Sequence, residues 1–133
     1  MRVVIDCNVV ISAVLTDGTC RAVVVRAVAH DDVFVSAPIL DEYRAVSARP
    51  KYRRHRETVG QVIRLIESVA YQVEPLEAGP ALPDPNDTVY LATALAAQAD
   101  AIITGNTRDF PPRLCAPVRV LTPREYLEAD HEK

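Results

Sequence analysis

Val3, Val4 and Ile5 form an unbroken apolar run that stops at Asp6. A uniform run, rather than an alternating one, suits a strand covered on both faces, as in a parallel sheet. Apolar residues resume from Val9 to Val14 in a helical pattern, and Thr16-Asp17-Gly18-Thr19 breaks it. Thr19 is then the N-cap of a helix through about His30, predicted to bury Ala22, Val23, Val25 and Ala29. Val33-Phe34-Val35 follows an Asp-Asp turn and predicts a second strand. Ser36-Ala37-Pro38 opens the next helix, with Pro early enough that its missing N–H costs little. Glu42 falls in that helix's first turns, on the same sheet edge as Asp6. Val59, Val62, Ile63, Ile66 and Val69 recur at helical spacing and predict a helix over 57–70. Val73 marks a short edge strand. Residues 74–85 are rich in Pro and Gly and read as a loop. Asn86 or Asp87 caps a helix over 88–98, whose many alanines allow close packing. A buried strand over 101–104, a loop over 105–110 and a last strand over 118–121 follow. Thr122-Pro123-Arg124-Glu125 is a capping-box start to a terminal helix. Strands alternating with helices predict a three-layer α/β/α sandwich with a mostly parallel central sheet. Repeats and low-complexity segments are absent, and 1–133 reads as one domain.

Composition narrows the picture. A chain of 133 residues can bury one real core. With no Trp and two Phe, that core must be aliphatic. The net charge of −3 gives no global pull toward nucleic acid, so any such binding needs a local basic patch. Residues 49–56 provide one: Arg-Pro-Lys-Tyr-Arg-Arg-His-Arg holds five of the chain's fifteen Lys and Arg. The three cysteines (7, 20 and 115) are odd in number and show no paired metal spacing, which argues for a reducing compartment without a disulfide framework. The first apolar run ends at Asp6, too early for a signal peptide, and no run approaches the ~20 residues needed to span a bilayer. No membrane is expected, and the cytoplasm is the default location. Neither His55 nor His131 has companions at zinc-like spacing.

Several acids and amides lie at predicted strand carboxyl ends or adjacent helix starts: Asp6 with Asn8, Glu42, Asp87 with Asp84, and Asn106 with Asp109. In open α/β sheets that edge is where ligands bind. Three or four carboxylates brought together resist joint ionisation unless a cation neutralises them. Hard cations such as Mg²⁺ or Mn²⁺ take such oxygen ligands. The competing reading makes each acid a helix cap, turn residue or surface charge, since Asp is a favoured N-cap. A receiver-type phosphoacceptor needs a late lysine at a strand end, and neither Lys51 nor Lys133 falls at one. A Rossmann site needs a glycine-rich turn after strand one, and none is there.

Val4-Ile5-Asp6-Cys7-Asn8 followed by Ser12, then residues 36–42, then Asp84-Pro85-Asn86-Asp87 leading into Leu91, Ala92 and Ala94, then Ile103-Thr104-Gly105-Asn106-Thr107-Arg108-Asp109-Phe110, resemble the PIN domain. The likeness is to the VapC-like toxin components of toxin–antitoxin pairs and runs from residue 3 to about 121. It implies an endoribonuclease dependent on Mg²⁺ or Mn²⁺, a cognate antitoxin and a homodimer. By position, Asp6, Glu42 and Asp87 match the family's main acids. Many members carry Asp where this chain has Asn106; Asp109 is therefore taken as the fourth acid and Asn106 as its polar supporter. Asn8, Ser12 and Thr104 are expected to orient the acids or a bound water, and Asp84 to lie outside them or to serve the turn. Lys51, Arg53, Arg54 and Arg56, with Arg108 in the late loop, are the expected RNA contacts, with Tyr52 or His55 stacking on a base. Cys7 is expected to be a small core residue. Asn106 leaves an alternative open: a PIN-like domain that binds RNA or protein with weak or no nuclease activity.

Overall fold

β1 (Arg2–Ile5) lies at the centre of a five-stranded sheet, and Val3, Val4 and Ile5 are completely buried, which is why the run is uniformly apolar. The computed structural model describes residues 1–16, 18–77 and 79–129. The sheet order is β3–β2–β1–β4–β5, with β2 (Asp32–Val35), β3 (Tyr71–Gln72), β4 (Ala101–Ile103) and β5 (Arg119–Leu121). Every pairing is parallel; Val3, Val4 and Ile5 face Ala101, Ile102 and Ile103 in register. The chain moves from β1 outward to β2 and β3, crosses back to β4, and continues to β5. The carboxyl ends of β1 and β4 thus flank the topological switch point, where open α/β sheets leave a crevice.

The helices are α1 (Cys7–Leu15), α2 (Thr19–His30), α3 (Ala37–Ser47), α4 (Arg56–Val69), α5 (Thr88–Ala97), α6 (Pro112–Cys115) and α7 (Pro123–Glu128). α1 packs on α2, α3 and α4, α7 packs on α2, and α5 lies across β1, β2 and β4. The α/β/α expectation therefore holds, with a sheet that is wholly parallel. The basic run folds as a 3₁₀ helix, Pro50–His55. No single described helix is long and apolar enough to cross a membrane.

Three details depart from the hydrophobic pattern. α2 buries Val23, Val24 and Ala27, whereas Val25 is 62% exposed and Ala22 and Ala29 face solvent. The face that meets α1 and α7 is set by those neighbours, and alanine and valine tolerate either side. The N-cap of α2 is Gly18 rather than Thr19, at φ 113°, a left-handed conformation that glycine adopts without a Cβ penalty. Val69 is exposed, while Val59, Ile63 and Ile66 carry the buried face of α4. The terminal capping box forms as expected, with Thr122 accepting from the Glu125 amide at 3.0 Å and Glu125 accepting from the Thr122 amide at 2.9 Å.

Two polar links fix α5. At its C-terminus, Arg2 donates to the carbonyls of Ala97 at 2.5 Å and Gln98 at 3.3 Å, its guanidinium 4.5 Å from the Phe34 ring centre. A cation there satisfies carbonyls that the helix leaves unpaired. In mid-helix, the buried hydroxyls of Thr93 and Ser36 share a 2.8 Å hydrogen bond that joins α5 to the start of α3.

Candidate metal centre at the strand ends

Asp6 stands at the N-cap position of α1 yet makes no side-chain capping bond. Its Oδ2 instead accepts a 2.7 Å hydrogen bond from the Thr104 hydroxyl at the end of β4, and its own amide donates to the Ile103 carbonyl at 2.9 Å. Thr104 in turn accepts from the Asn106 amide at 3.0 Å. Asp87 repeats the pattern: it holds the N-cap position of α5 without capping it. The turn before α5 is capped by Asp84, whose Oδ1 accepts from the Asn86 amide at 3.0 Å. Capping therefore accounts for Asp84 and not for Asp87, while Asp6 adds the Thr104 bond to the pull of the Cys7 and Asn8 amides.

Carboxylate oxygens of Asp84, Asp87 and Asp109 lie within 4.8 Å of one another. Asp109 also accepts a 2.5 Å hydrogen bond from the side-chain amide of Asn106. Glu42, half-buried on α3, accepts from the hydroxyl of Tyr90. Asp6 and Glu42 do not join the 4.8 Å group, but both are near enough to act on Asp87. Burial, followed by the charges of Asp6, Asp84, Asp109 and Glu42, pushes the Asp87 carboxyl up to about 7. Asp6 is only 5% exposed, and burial raises its carboxyl too. The Thr104 hydroxyl and the amides of Asn8 and Cys7 oppose that rise, and Glu42 adds to it. None of the five acids makes an ion pair among the described residues. Proximity with mutual repulsion and no internal cation is the electrostatic signature of the site.

The other expected residues are placed unevenly. Asn8 acts on Asp6 through its backbone amide, with its side chain in solvent. Ser12 hydrogen-bonds the Cys20 thiol on α2 and makes no bond to an acid. Lys51, Arg53, Arg54 and Arg56 are exposed along the 3₁₀ helix and the start of α4. Arg56 donates to the Ala48 carbonyl at 3.0 Å, and the Lys51 ammonium lies 5.1 Å from the Tyr52 ring centre. Arg108 is exposed between Asn106 and Asp109. Cys7 is a buried core thiol, pushed up to about 12 by burial and by Glu42 and Asp6, with Arg49 opposing. Arg49 was not singled out within the basic run, yet its charge reaches the neighbourhood of the acids. Tyr90 was missed as well; a lone phenol three residues after Asp87 in an alanine-rich helix was the available signal. A cleft of about 710 Å³ opens at the opposite edge of the sheet, beside Arg2, Asp32, Asp100 and Arg119, and holds none of these acids.

A sequence profile of the PIN domain matches residues 2–108. The chain belongs to the PIN-domain family. Asp6, Glu42, Asp84 and Asp87 lie inside the matched PIN region, and Asp109 is the first residue beyond it. Among the curated proteins no significant match is found. Solved structures share the fold at low identity. A chain of VapBC2 from Rickettsia felis, bound to a DNA fragment from their promoter, superposes with a TM-score of 0.62 at 14% identity, covering 92% of this chain and 98% of its own. A chain of FitAB bound to the IR36 DNA fragment gives 0.60 at 20% identity, with 98% and 99% covered. A chain of VapBC-1 from nontypeable Haemophilus influenzae gives 0.62 at 16%, with 93% and 99% covered.

Proposed function

We propose that this PIN domain is a metal-dependent endoribonuclease, the toxin of a toxin–antitoxin pair. What carries the reading is the grouping of Asp84, Asp87 and Asp109, with Asp6 and Glu42 near enough to act on Asp87 and no ion pair to any of the five among the described residues. The donor set fits a hard divalent ion: it is all carboxylate oxygen, with no histidine or thiolate ligand among it. Asp6, Glu42, Asp87 and Asp109 would hold Mg²⁺ or Mn²⁺, and Asp84, already close to two of them, is a further ligand candidate. A bound divalent ion supplies Lewis-acid charge and a water of lowered pKa. The protein's own share is to orient and to grip. Thr104 and Asn106 hold Asp6 and Asp109 in place, and Asn8 supports Asp6 through its amide. Lys51, Arg53, Arg54, Arg56 and Arg108, together with Arg49, would grip RNA phosphates. The VapBC and FitAB likenesses support an antitoxin partner, and a homodimer in the cytoplasm completes the proposal.

The test is cleavage of labelled RNA with Mn²⁺ or Mg²⁺ by wild type, Asp6→Asn and Asp87→Asn, each checked for an intact fold by circular dichroism. Activity is expected to vanish in both variants and in excess EDTA. An unchanged rate in either folded variant ends the proposal.

One observation favours a second reading. Asn106 stands at an acidic family position and occupies one oxygen of Asp109, which suits a domain that binds RNA or protein with little cleavage. Calorimetry separates the two, since that reading expects no Mn²⁺ binding at millimolar concentration.

A further inference from the structure

We propose that Tyr90 is a positioning residue that sets the orientation of Glu42 and so the metal affinity of the site, an inference resting on the metal-site reading above. Tyr90 is fully buried on α5, one helical turn beyond Asp87. Its hydroxyl oxygen accepts from the amide of Cys7 at 3.3 Å, and its proton goes to Glu42 Oε1. The direction of both bonds is forced. A backbone N–H can only donate, so the phenol must accept there, and its single proton is left for the carboxylate. Tyr90 therefore holds Glu42 as an acceptor, with Oε1 occupied. Glu42 Oε2 makes no hydrogen bond among the described residues and is the oxygen left to present to a cation.

The phenol oxygen sits where three acid-bearing segments meet. Cys7 directly follows Asp6, Asp87 shares its helix with Tyr90, and Glu42 projects from α3. Outer partners that orient metal ligands contribute about 10- to 100-fold in affinity.

The experiment is calorimetric titration of the full chain with Mn²⁺. Tyr90→Phe keeps the ring and loses the hydroxyl, and is expected to weaken binding by about 10-fold or more. Tyr43→Phe removes another buried hydroxyl of the same core, one that donates to the Ile5 carbonyl, and is expected to stay within about twofold of wild type. On a Glu42→Ala background, Tyr90→Phe is expected to change affinity by less than about twofold. Equal weakening on both backgrounds makes the tyrosine structural and overturns the proposal, as does wild-type affinity in Tyr90→Phe. Should Tyr90→Phe not fold, wild type carrying ¹³C at the hydroxyl-bearing tyrosine carbons is titrated with Mg²⁺. The Tyr90 signal is expected to move on saturation, and a stationary one overturns the proposal. A wild-type chain that binds no Mn²⁺ at all fails the site reading itself, an outcome distinct from a Tyr90 without effect.

Discussion

Thr104 donates its hydroxyl proton to Asp6 Oδ2 across 2.7 Å, joining residues 98 positions apart in the chain. Because β1 and β4 are adjacent and parallel, the first residue beyond each strand arrives at the same crevice. The bond gives a buried carboxylate one of its few donors.

Thr104→Val removes that donor while keeping the shape. The expected loss is about 1–3 kcal/mol of unfolding free energy, the usual consequence of leaving a buried polar group short of a partner. Thr104→Ser should retain most of the stability. Urea denaturation at pH 7 measures both, and an unaltered midpoint in Thr104→Val would refute the role assigned to the bond.

The acids make stability depend on pH in an unusual direction. The folded Asp87 carboxyl stands at about 7 against an ordinary 3.8, and Asp6 is raised too. A group raised on folding contributes its full stability below its unfolded pKa and loses it as pH climbs through the folded value. Metal-free protein should therefore melt at a higher temperature at pH 5 than at pH 8. Asp87→Asn should flatten that difference. Calorimetric melting in EDTA across this range is the check; a wild-type curve as flat as the variant's would contradict it.

A divalent ion should reverse the loss at high pH. At pH 8 a concentration 100 times Kd stabilises by about 2.7 kcal/mol, or on the order of 10 °C for a chain of this size. Mn²⁺ is expected to raise the melting temperature of wild type by that order and that of Asp87→Asn by much less. Equal shifts in the two proteins would mean the ion binds elsewhere.

Arg53→Ala with Arg54→Ala should weaken RNA binding without altering Mn²⁺ affinity. If both side chains meet phosphates, the slope of log K against log salt should fall by about 1.4 for single-stranded RNA. Fluorescence anisotropy with catalytically dead Asp87→Asn protein measures it. An unchanged slope would remove the basic run from the RNA interface.

The architecture was readable because its signals are local and redundant. A uniform run such as Val3 to Ile5 admits few fates, and Thr122 with Glu125 can cap only one way. The acids were readable as candidates because Asp6 follows β1, Asp84 and Asp87 lead into α5, Asp109 lies in the loop beyond β4, and Glu42 lies on the helix that leaves β2. What they do there was not, since a cap and a ligand look alike until partners are known. The bonds of Asp6 to Thr104 and of Asp84 to the Asn86 amide separate the two cases. Ser12 and Val25 went astray for one reason: which side of a short helix meets its neighbour depends on packing angles that no local pattern encodes. Tyr90 stayed hidden because its significance lies in Glu42, 48 positions away.

Arg2 grips the last carbonyls of α5 while Asp87 stands at that helix's other end, and Arg2 itself begins the strand that leads into Asp6. Strand and helix are thus pinned together like the two arms of a caliper, hinged at the edge remote from the acids. The gap between the tips is set at the hinge, so a change as distant as Arg2→Ala would be felt as a misjudged span between Asp6 and Asp87.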